Sequence, residues 1–338
     1  MNVSRHGASS TDEKTSPHGV FELIGSDLGK VDQAFRKNLR SKVPIISAIG
    51  EHLLHSGGKR YRAKLLLLSA KLCGYRGNRH ISMASLIEFI HAATLLHDDV
   101  VDGAEIRRGM DSVNYIWGNE ASVLVGDFLF TKCFSLVVKD SNWKILQTIS
   151  KATTTMAEGE LEELIKTNDL SLSERNYLSI IARKTASLIS AAAQIGAILG
   201  NVSKEREDAL SQFGRDVGIA FQLIDDNLDY TSHEEEFGKK IGIDLQEGKI
   251  TLPLIYTLSR CDQEERELIR KTVESSPITK KAFFEVVKII GKYQGIDYTL
   301  ARAKRYIEKA KRHLHVFQES REKKALCALA EYVLERKL

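Results

Sequence analysis

Two stretches of this chain carry the residue types of a cation site: Leu95-Leu96-His97-Asp98-Asp99-Val100-Val101-Asp102 and Phe221-Gln222-Leu223-Ile224-Asp225-Asp226-Asn227-Leu228-Asp229. Each contains the pattern D-D-x-x-D behind a largely apolar run. On a helix the outer carboxylates, Asp98 with Asp102 and Asp225 with Asp229, stand four residues apart on one face, about one turn from each other. Such a pair can share a cation. Gly103, directly after Asp102, predicts that the first motif fills the last turn of its helix. Like charges repel there, and the partial negative charge of a helix C-terminus repels them further. Hard cations would relieve that repulsion, and oxygen donors with room for water and phosphate suit Mg2+. One D-D-x-x-D alone reads more simply as a solvated helix end; two copies, each behind apolar helix, favour a site.

Several basic stretches could hold the anions that such cations accompany. In Ser56-Gly57-Gly58-Lys59-Arg60-Tyr61-Arg62 two glycines let the backbone approach an anion, while Lys59 and Arg62 put charge at a helix start, where amides also favour phosphate. A surface turn before a basic helix start explains the same residues. Arg107-Arg108-Gly109 follows the first acidic motif, either as a salt-bridge network or as part of a phosphate grip. Lys184-Thr185 falls inside the apolar run from Ile180 to Ser187, where a buried charge needs a partner. His91 lies seven residues before Asp98, on nearly the same helical face; with no second His at i+4 it suits a hydrogen bond to a diphosphate better than metal ligation. The stretch 237–249, with Lys239, Lys240 and Lys249 among three glycines, has the composition of a cover over phosphate or of a plain exposed loop.

The elements that must carry these residues are helical. Only four prolines occur, none between Pro44 and Pro253, and apolar residues recur at three-and-four spacing without sustained alternation. Helices are expected near 20–40, 43–55, 60–73, 81–102, 119–139, 143–166, 173–199, 205–230, 251–260, 263–274, 280–293, 297–315 and 319–336. No internal repeat is visible, so the expectation is all-α: one large helical bundle around a central cavity, spanning 20–338, behind a disordered segment 1–19.

With 338 residues, 43% of them hydrophobic, the chain can bury a large core. A net charge of +4 with dispersed basic residues argues against a nucleic-acid partner. Cys73, Cys133, Cys261 and Cys327 form no CxxC pair and read as reduced thiols of a cytoplasmic protein. The first 19 residues lack the apolar region of a signal peptide, and the most apolar stretch, Leu188 to Gly200, reads as a buried core helix of a soluble protein.

Taken in order, GGKR at 57–60, the first aspartate motif with Arg107-Arg108-Gly109, Gly126-Asp127, Lys184-Thr185-Ala186, and Phe221-Gln222 leading into the second aspartate motif resemble the trans-isoprenyl diphosphate synthases, the polyprenyl synthetase family, from about residue 20 to the C-terminus. The resemblance implies an all-helical homodimer in which Asp98, Asp102 and Asp225 hold three Mg2+ ions on an allylic diphosphate. It implies that Arg107, Lys184, Thr185, Gln222 and Lys239 bind that substrate, that Lys59, Arg62, His91 and Arg108 bind isopentenyl diphosphate, and that Asp99, Asp226 and Asp229 belong to the catalytic set. Ala63 and Ile250 stand where the family often has proline, Ile243 replaces a commonly acidic residue, and Lys240 is an unusual neighbour of Lys239.

The implied chemistry is ionisation of an allylic diphosphate, attack by the alkene of isopentenyl diphosphate and loss of a proton, with no need for a Ser/His/Asp or Cys/His set. A terpene cyclase would lack the GGKR stretch, and a noncatalytic regulatory subunit would be expected to have lost metal ligands. The expected product is long, of octaprenyl to decaprenyl size for a quinone side chain, against a short-chain farnesyl or geranylgeranyl alternative. Ala93 and Thr94, where short-chain relatives tend to carry bulky aromatics, are the expected chain-length positions. Ile87, Ala84 and Met83 continue that face, Gly218 and Gly214 are expected to leave a second wall bare, and Phe128, Phe130 and Phe134 are candidates for the floor. So hydrophobic a product implies transient membrane contact at its release.

Overall fold

Leu65, Leu66, Leu67 and Leu68 are all fully buried, so the helix that carries them presents no face to solvent. A helix apolar all round lies inside a protein, and its neighbours must wrap it. In the computed structural model, which describes residues 17–231, 242–275 and 277–335, they do so. The helices run α1 (Pro17–Leu39), α2 (Pro44–His55), α3 (Tyr61–Leu72), α4 (Arg79–Val101), α5 (Val113–Trp117), α6 (Asn119–Asp140), α7 (Trp143–Ile165), α8 (Glu174–Ile181), α9 (Ser187–Leu199), α10 (Lys204–Thr231), α11 (Ile243–Gln246), α12 (Leu252–Leu258), α13 (Gln263–Val273), α14 (Lys280–Lys292), α15 (Gly295–His313) and α16 (Arg321–Glu331). The strands described are two short ones, β1 (Ile106–Arg107) and β2 (Met110–Asp111), paired antiparallel with Ile106 opposite Asp111.

The central pair is α3 and α9. They cross closely because Gly196 has no side chain: a Cβ there would stand 2.5 Å from Ser69 Cβ. On one flank α4 packs against α3, α1 and α6; on the other α10 packs against α9 and α15. The two aspartate motifs therefore arrive on separate helices at either side of a shared core. Helix α16 closes the bundle over α3, where the Tyr61 hydroxyl donates to the Leu329 carbonyl at 2.9 Å.

The all-α expectation holds, with corrections at particular places. The first helix is already present at Pro17, inside the segment expected to be disordered, while residues 1–16 lie outside the described residues. The helix expected over 173–199 is broken into α8 and α9 by a π turn at Ala182–Ala186. Helix α6, not Leu188 to Gly200, is the described helix long and apolar enough in composition to cross a bilayer, and most of it is not buried.

Candidate active site

The first aspartate motif occupies the last turn of α4, as its sequence predicts. Gly103 adopts a left-handed φ of +62°, and the Ala104 amide closes the end by donating to the Asp99 carbonyl at 2.9 Å. The three carboxylates then diverge. Asp99 is buried against Arg107, whose Nε donates to Oδ1 at 2.6 Å. Burial raises the Asp99 pKa, and the Arg107 charge opposes that rise. Asp102 pairs with Lys249 Nζ at 3.2 Å. Asp98 forms no ion pair among the described residues; burial, then the charges of Glu160 and Asp102, push its carboxyl up to about 7 against the pull of Lys184 and Arg107.

The second motif lies in the last two turns of α10 and divides similarly. Asp226 is buried; it accepts from the Tyr177 hydroxyl and, at 2.8 Å, from Gln222 Nε2. Desolvation raises its pKa to about 7 despite those bonds. Asp229 caps α11, its two oxygens each 3.1 Å from an amide, of Ile243 and Asp244 respectively. Asp225 is left half-buried, and its charge reaches Arg62. Asp99, Asp226 and Asp229 are thus bound into the scaffold, Asp102 is paired with Lys249, and Asp98 and Asp225 are half-buried.

Lys184 projects from the π turn, the widened coil that interrupts α8 and α9. Its ammonium lies 2.9 Å from Glu160 and 2.5 Å from Glu163 on α7. Burial lowers its pKa, but the two carboxylates outweigh burial and hold the lysine charged. Next to it Thr185 Oγ1 donates to Gln222 Oε1 at 2.7 Å, extending the chain Thr185, Gln222, Asp226, Tyr177 across three elements. Lys184, Gln222, Asp226, Tyr177, Glu163 and Lys249 line one pocket. Lys239 lies outside the described residues.

A second, basic pole forms at the start of α3. Arg60 takes a left-handed φ of +47° and is spent on structure, 3.1 Å from Asp32 and 3.3 Å from Glu88. Glu88 also accepts the Ala63 amide at 3.2 Å, so one buried carboxylate fixes the turn. Arg108 reaches over to donate to the Gly57 carbonyl; a Cβ on Gly58 would come 2.7 Å from its guanidinium. Arg62 has a buried Nε without a partner among the described residues, and desolvation lowers its pKa. Burial and the charges of Arg62, Arg108, Arg107 and Arg60 push His91 well below the ordinary imidazole range. Lys59 sits further out, 5.1 Å over the Tyr332 ring. An orphaned guanidinium nitrogen, a neutral imidazole and a second arginine are thus brought together, residue types whose chemistry suits an anion.

The chain-length positions fare unevenly. Ala93 is fully buried in α4, as are Ile87 and Ala84, with Met83 nearly so; Thr94 is half-buried and donates to the His91 carbonyl at 2.9 Å. The expectation that Gly214 and Gly218 leave a bare wall is corrected: a Cβ on Gly214 would stand 2.7 Å from the Ile189 carbonyl, and one on Gly218 would stand 2.6 Å from Ala186. Both glycines admit α9 and the π turn. Phe134 is also withdrawn as a floor, being 49% exposed, whereas Phe130 stacks on His97 with ring centroids 5.9 Å apart.

Sequence reasoning missed Glu88, Glu160, Glu163 and Tyr177, and gave Lys249 only as one lysine of the candidate cover 237–249. The signal for Glu160 and Glu163 was available: a lysine inside an apolar helix demands acidic partners, and these two acids stand three apart on α7.

The donors offered to a metal are oxygen alone, which fits a hard cation. Among the described residues no three acidic, His or Cys side chains already converge as a cage. One or two carboxylates completed by phosphate oxygens is the usual way to hold Mg2+, so Asp98, Asp102 and Asp225 fit that ion together with a diphosphate.

Comparison with known proteins agrees with this geometry. The family model "Polyprenyl synthetase" matches residues 43–290. An octaprenyl diphosphate synthase of Haemophilus influenzae is 41% identical over 317 residues, covering 94% of this chain and 96% of that protein. The crystal structure of a polyprenyl synthase from Caulobacter crescentus, complexed with calcium and isoprenyl diphosphate, superposes with a TM-score of 0.91 at 38% identity, covering 98% of this chain and 100% of the other. That of a decaprenyl diphosphate synthase from Rhodobacter capsulatus gives 0.89 at 35% identity, covering 94% and 98%. With two aspartate motifs on opposite flanks, a lysine at a π turn and an arginine-rich pole on one bundle, the chain belongs to the polyprenyl synthetase family.

Proposed function

We propose that the protein is a long-chain all-trans-polyprenyl diphosphate synthase that adds isopentenyl diphosphate repeatedly, head to tail, to an allylic primer such as farnesyl or geranylgeranyl diphosphate. What supports this reading is the grouping of polar residues at two separate places beside the aspartates, Arg62, His91 and Arg108 at one and Lys184, Thr185 and Gln222 at the other. Two diphosphates need two grips. Mg2+, three ions by family resemblance, would neutralise the leaving diphosphate when held by Asp98, Asp102 and Asp225. Lys184 and Arg107, with Lys239, draw charge from the same group as the allylic C–O bond ionises. Arg62, His91 and Arg108 hold the second diphosphate so that its alkene meets the allylic carbon. The proton lost in forming the new double bond passes to the released pyrophosphate.

Three further readings accompany this one. Leu124, Phe134 and Val138 lie on one face of α6 and are 66%, 49% and 64% exposed, a stripe suited to a second copy in a homodimer. The free thiols of Cys73, Cys133, Cys261 and Cys327 suit the cytoplasm. A product of octaprenyl to decaprenyl size, suited to a ubiquinone side chain, would leave through transient membrane contact. The test is to incubate the protein with Mg2+, farnesyl diphosphate and labelled isopentenyl diphosphate and to size the dephosphorylated product. No incorporation would overturn the synthase reading, and a product of farnesyl or geranylgeranyl size would overturn the long-chain one.

A further inference from the structure

Both aspartate motifs stand at the C-terminal ends of their helices, so the opposite end of the bundle is built from the starts of α4, α7 and α10 and the ends of α3, α6 and α9. Contacts tie these helix ends together. Arg79 Nε at the start of α4 donates to Asp140 Oδ1 at the end of α6, at 2.7 Å. Gly200, just after α9, lies against Cys73, just after α3. The buried Glu207 on α10 accepts from Gln194 Nε2 of α9 at 2.9 Å and pairs with Lys144 of α7 at 3.6 Å.

This far end is basic around one large apolar tip. Trp143, the first residue of α7, is 68% exposed. Cα–Cβ bonds tilt towards a helix N-terminus, so Trp143 and Lys144 in that first turn lean off the end of the bundle. Arg76 and Lys139 flank the Arg79–Asp140 pair, are exposed, and form no ion pair among the described residues. Arg206, also exposed, lies over the Phe317 ring. The exposed acids there, Glu205 and Asp208, are fewer, and Asp208 is paired with Lys204 at 2.7 Å. A tail laid along α4 at ~5.4 Å per isoprene unit reaches about 43 Å at octaprenyl length, whereas α4 from Asp98 back to Arg79 is about 28 Å long. Roughly three units would then pass the far end, where water disfavours them.

We propose that this end of the bundle docks on an anionic lipid bilayer, which receives the protruding tail. The inference rests on the long-chain reading. A tryptophan ring, apolar with one polar N–H, settles at headgroup level, and exposed lysines and arginines are drawn to anionic headgroups. A second copy meeting this face end to end would set like charge against like.

The experiment is flotation of the full-length protein with vesicles of phosphatidylcholine alone and of phosphatidylcholine mixed with phosphatidylglycerol, alongside sizing of the prenyl product. Wild type should bind the anionic vesicles at least about tenfold more tightly than the neutral ones, and added salt should weaken that binding. Trp143→Ala and the double variant Arg76→Gln/Lys139→Gln should each lose about tenfold or more of that affinity, with helicity, size in solution and the rate of the first condensation unchanged. If wild type ignores anionic vesicles, binds neutral ones equally, or passes its affinity intact to both variants, the docking face is wrong, while a long product keeps the synthase reading standing. A changed oligomeric state in Trp143→Ala would place that residue between copies of the chain and overturn the proposal as well. A product of farnesyl size would overturn both the long-chain reading and the docking face.

Discussion

A methyl group on Gly159 would stand 2.5 Å from the amide nitrogen of Lys184, so α7 and the π turn touch backbone to backbone. From the other side Gly218 on α10 admits Ala186 just as closely. The turn that presents Lys184 and Thr185 is clamped between two glycines. Gly159→Ala and Gly218→Ala should each destabilise the fold by about 1–3 kcal/mol, the usual size of an overpacking effect. Each should also lower turnover, because relief requires moving the turn. Thermal unfolding and steady-state kinetics check this; wild-type stability with wild-type turnover would mean that the helices part freely.

The two anion sites should separate in kinetics. Arg62→Ala removes a buried guanidinium whose Nε has no partner among the described residues, so it should raise the Michaelis constant for isopentenyl diphosphate by about tenfold or more. Lys59→Ala should act in the same direction but less, since Lys59 is exposed over the Tyr332 ring. Lys184→Ala should instead impair the allylic substrate or its ionisation. An Arg62→Ala enzyme weakened only towards the allylic substrate would reverse the assignment.

What could be read from residue order and what could not divides along local and distant causes. The end of α4 was legible because Gly103 marks a helix stop within the motif itself, and its φ of +62° bears this out. The break at Ala182–Ala186 was not legible, because the surfaces it packs against lie on α7 and α10, at glycines that reveal their use only when the helices pack. Gly214 and Gly218 were misread for the same reason. A bare position on a helix face is either open space or room for a neighbouring backbone, and periodicity alone does not distinguish them. The tying of Asp99, Asp226 and Asp229 into the scaffold was hidden too, since Tyr177, Arg107 and the α11 amides approach from elsewhere in the chain.

Asp98 sets a pH dependence. Its folded pKa of about 7 lies above the ordinary 3.8, with burial as the largest cause. The metal-free fold therefore binds the extra proton and loses the associated stability as pH rises from the ordinary value towards 7. A cation needs the ionised carboxylate and so competes with that proton. Mg2+ affinity measured with pyrophosphate present, after correction for the protonation and Mg2+ binding of free pyrophosphate at each pH, should rise about tenfold between about pH 6 and about pH 8 and flatten above. Asp98→Asn should remove the slope, reduce turnover by orders of magnitude and leave helicity intact. A flat profile in the wild type would show that Asp98 is already ionised at the lower pH.

The last prediction concerns where the product stops. The growing tail must run from the metals along α4, at roughly one helical turn, ~5.4 Å, per added isoprene unit. With Gly214 and Gly218 closed by packing, the long-chain reading would take the tail past Thr94 and Ala93 towards Ile87, Ala84 and Met83. Ala93 is fully buried, so Ala93→Phe would strain the core before it tested the path. Thr94 is half-buried and gives the cleaner variant. Its hydroxyl only bonds back to the His91 carbonyl within the same helix, so replacing it leaves no distant partner unsatisfied. Thr94→Phe should cut the product to farnesyl or geranylgeranyl size while the first condensations proceed at a rate close to wild type. Phe128 and Phe130 remain as candidates for the aromatic floor; Phe130 stacks on His97, and Phe130→Ala should shift the product distribution longer. Chromatography of the dephosphorylated products measures both. Unchanged length in Thr94→Phe would move the tail to another face of α4, and a longer product from Phe130→Ala alone would leave the floor standing without the gate.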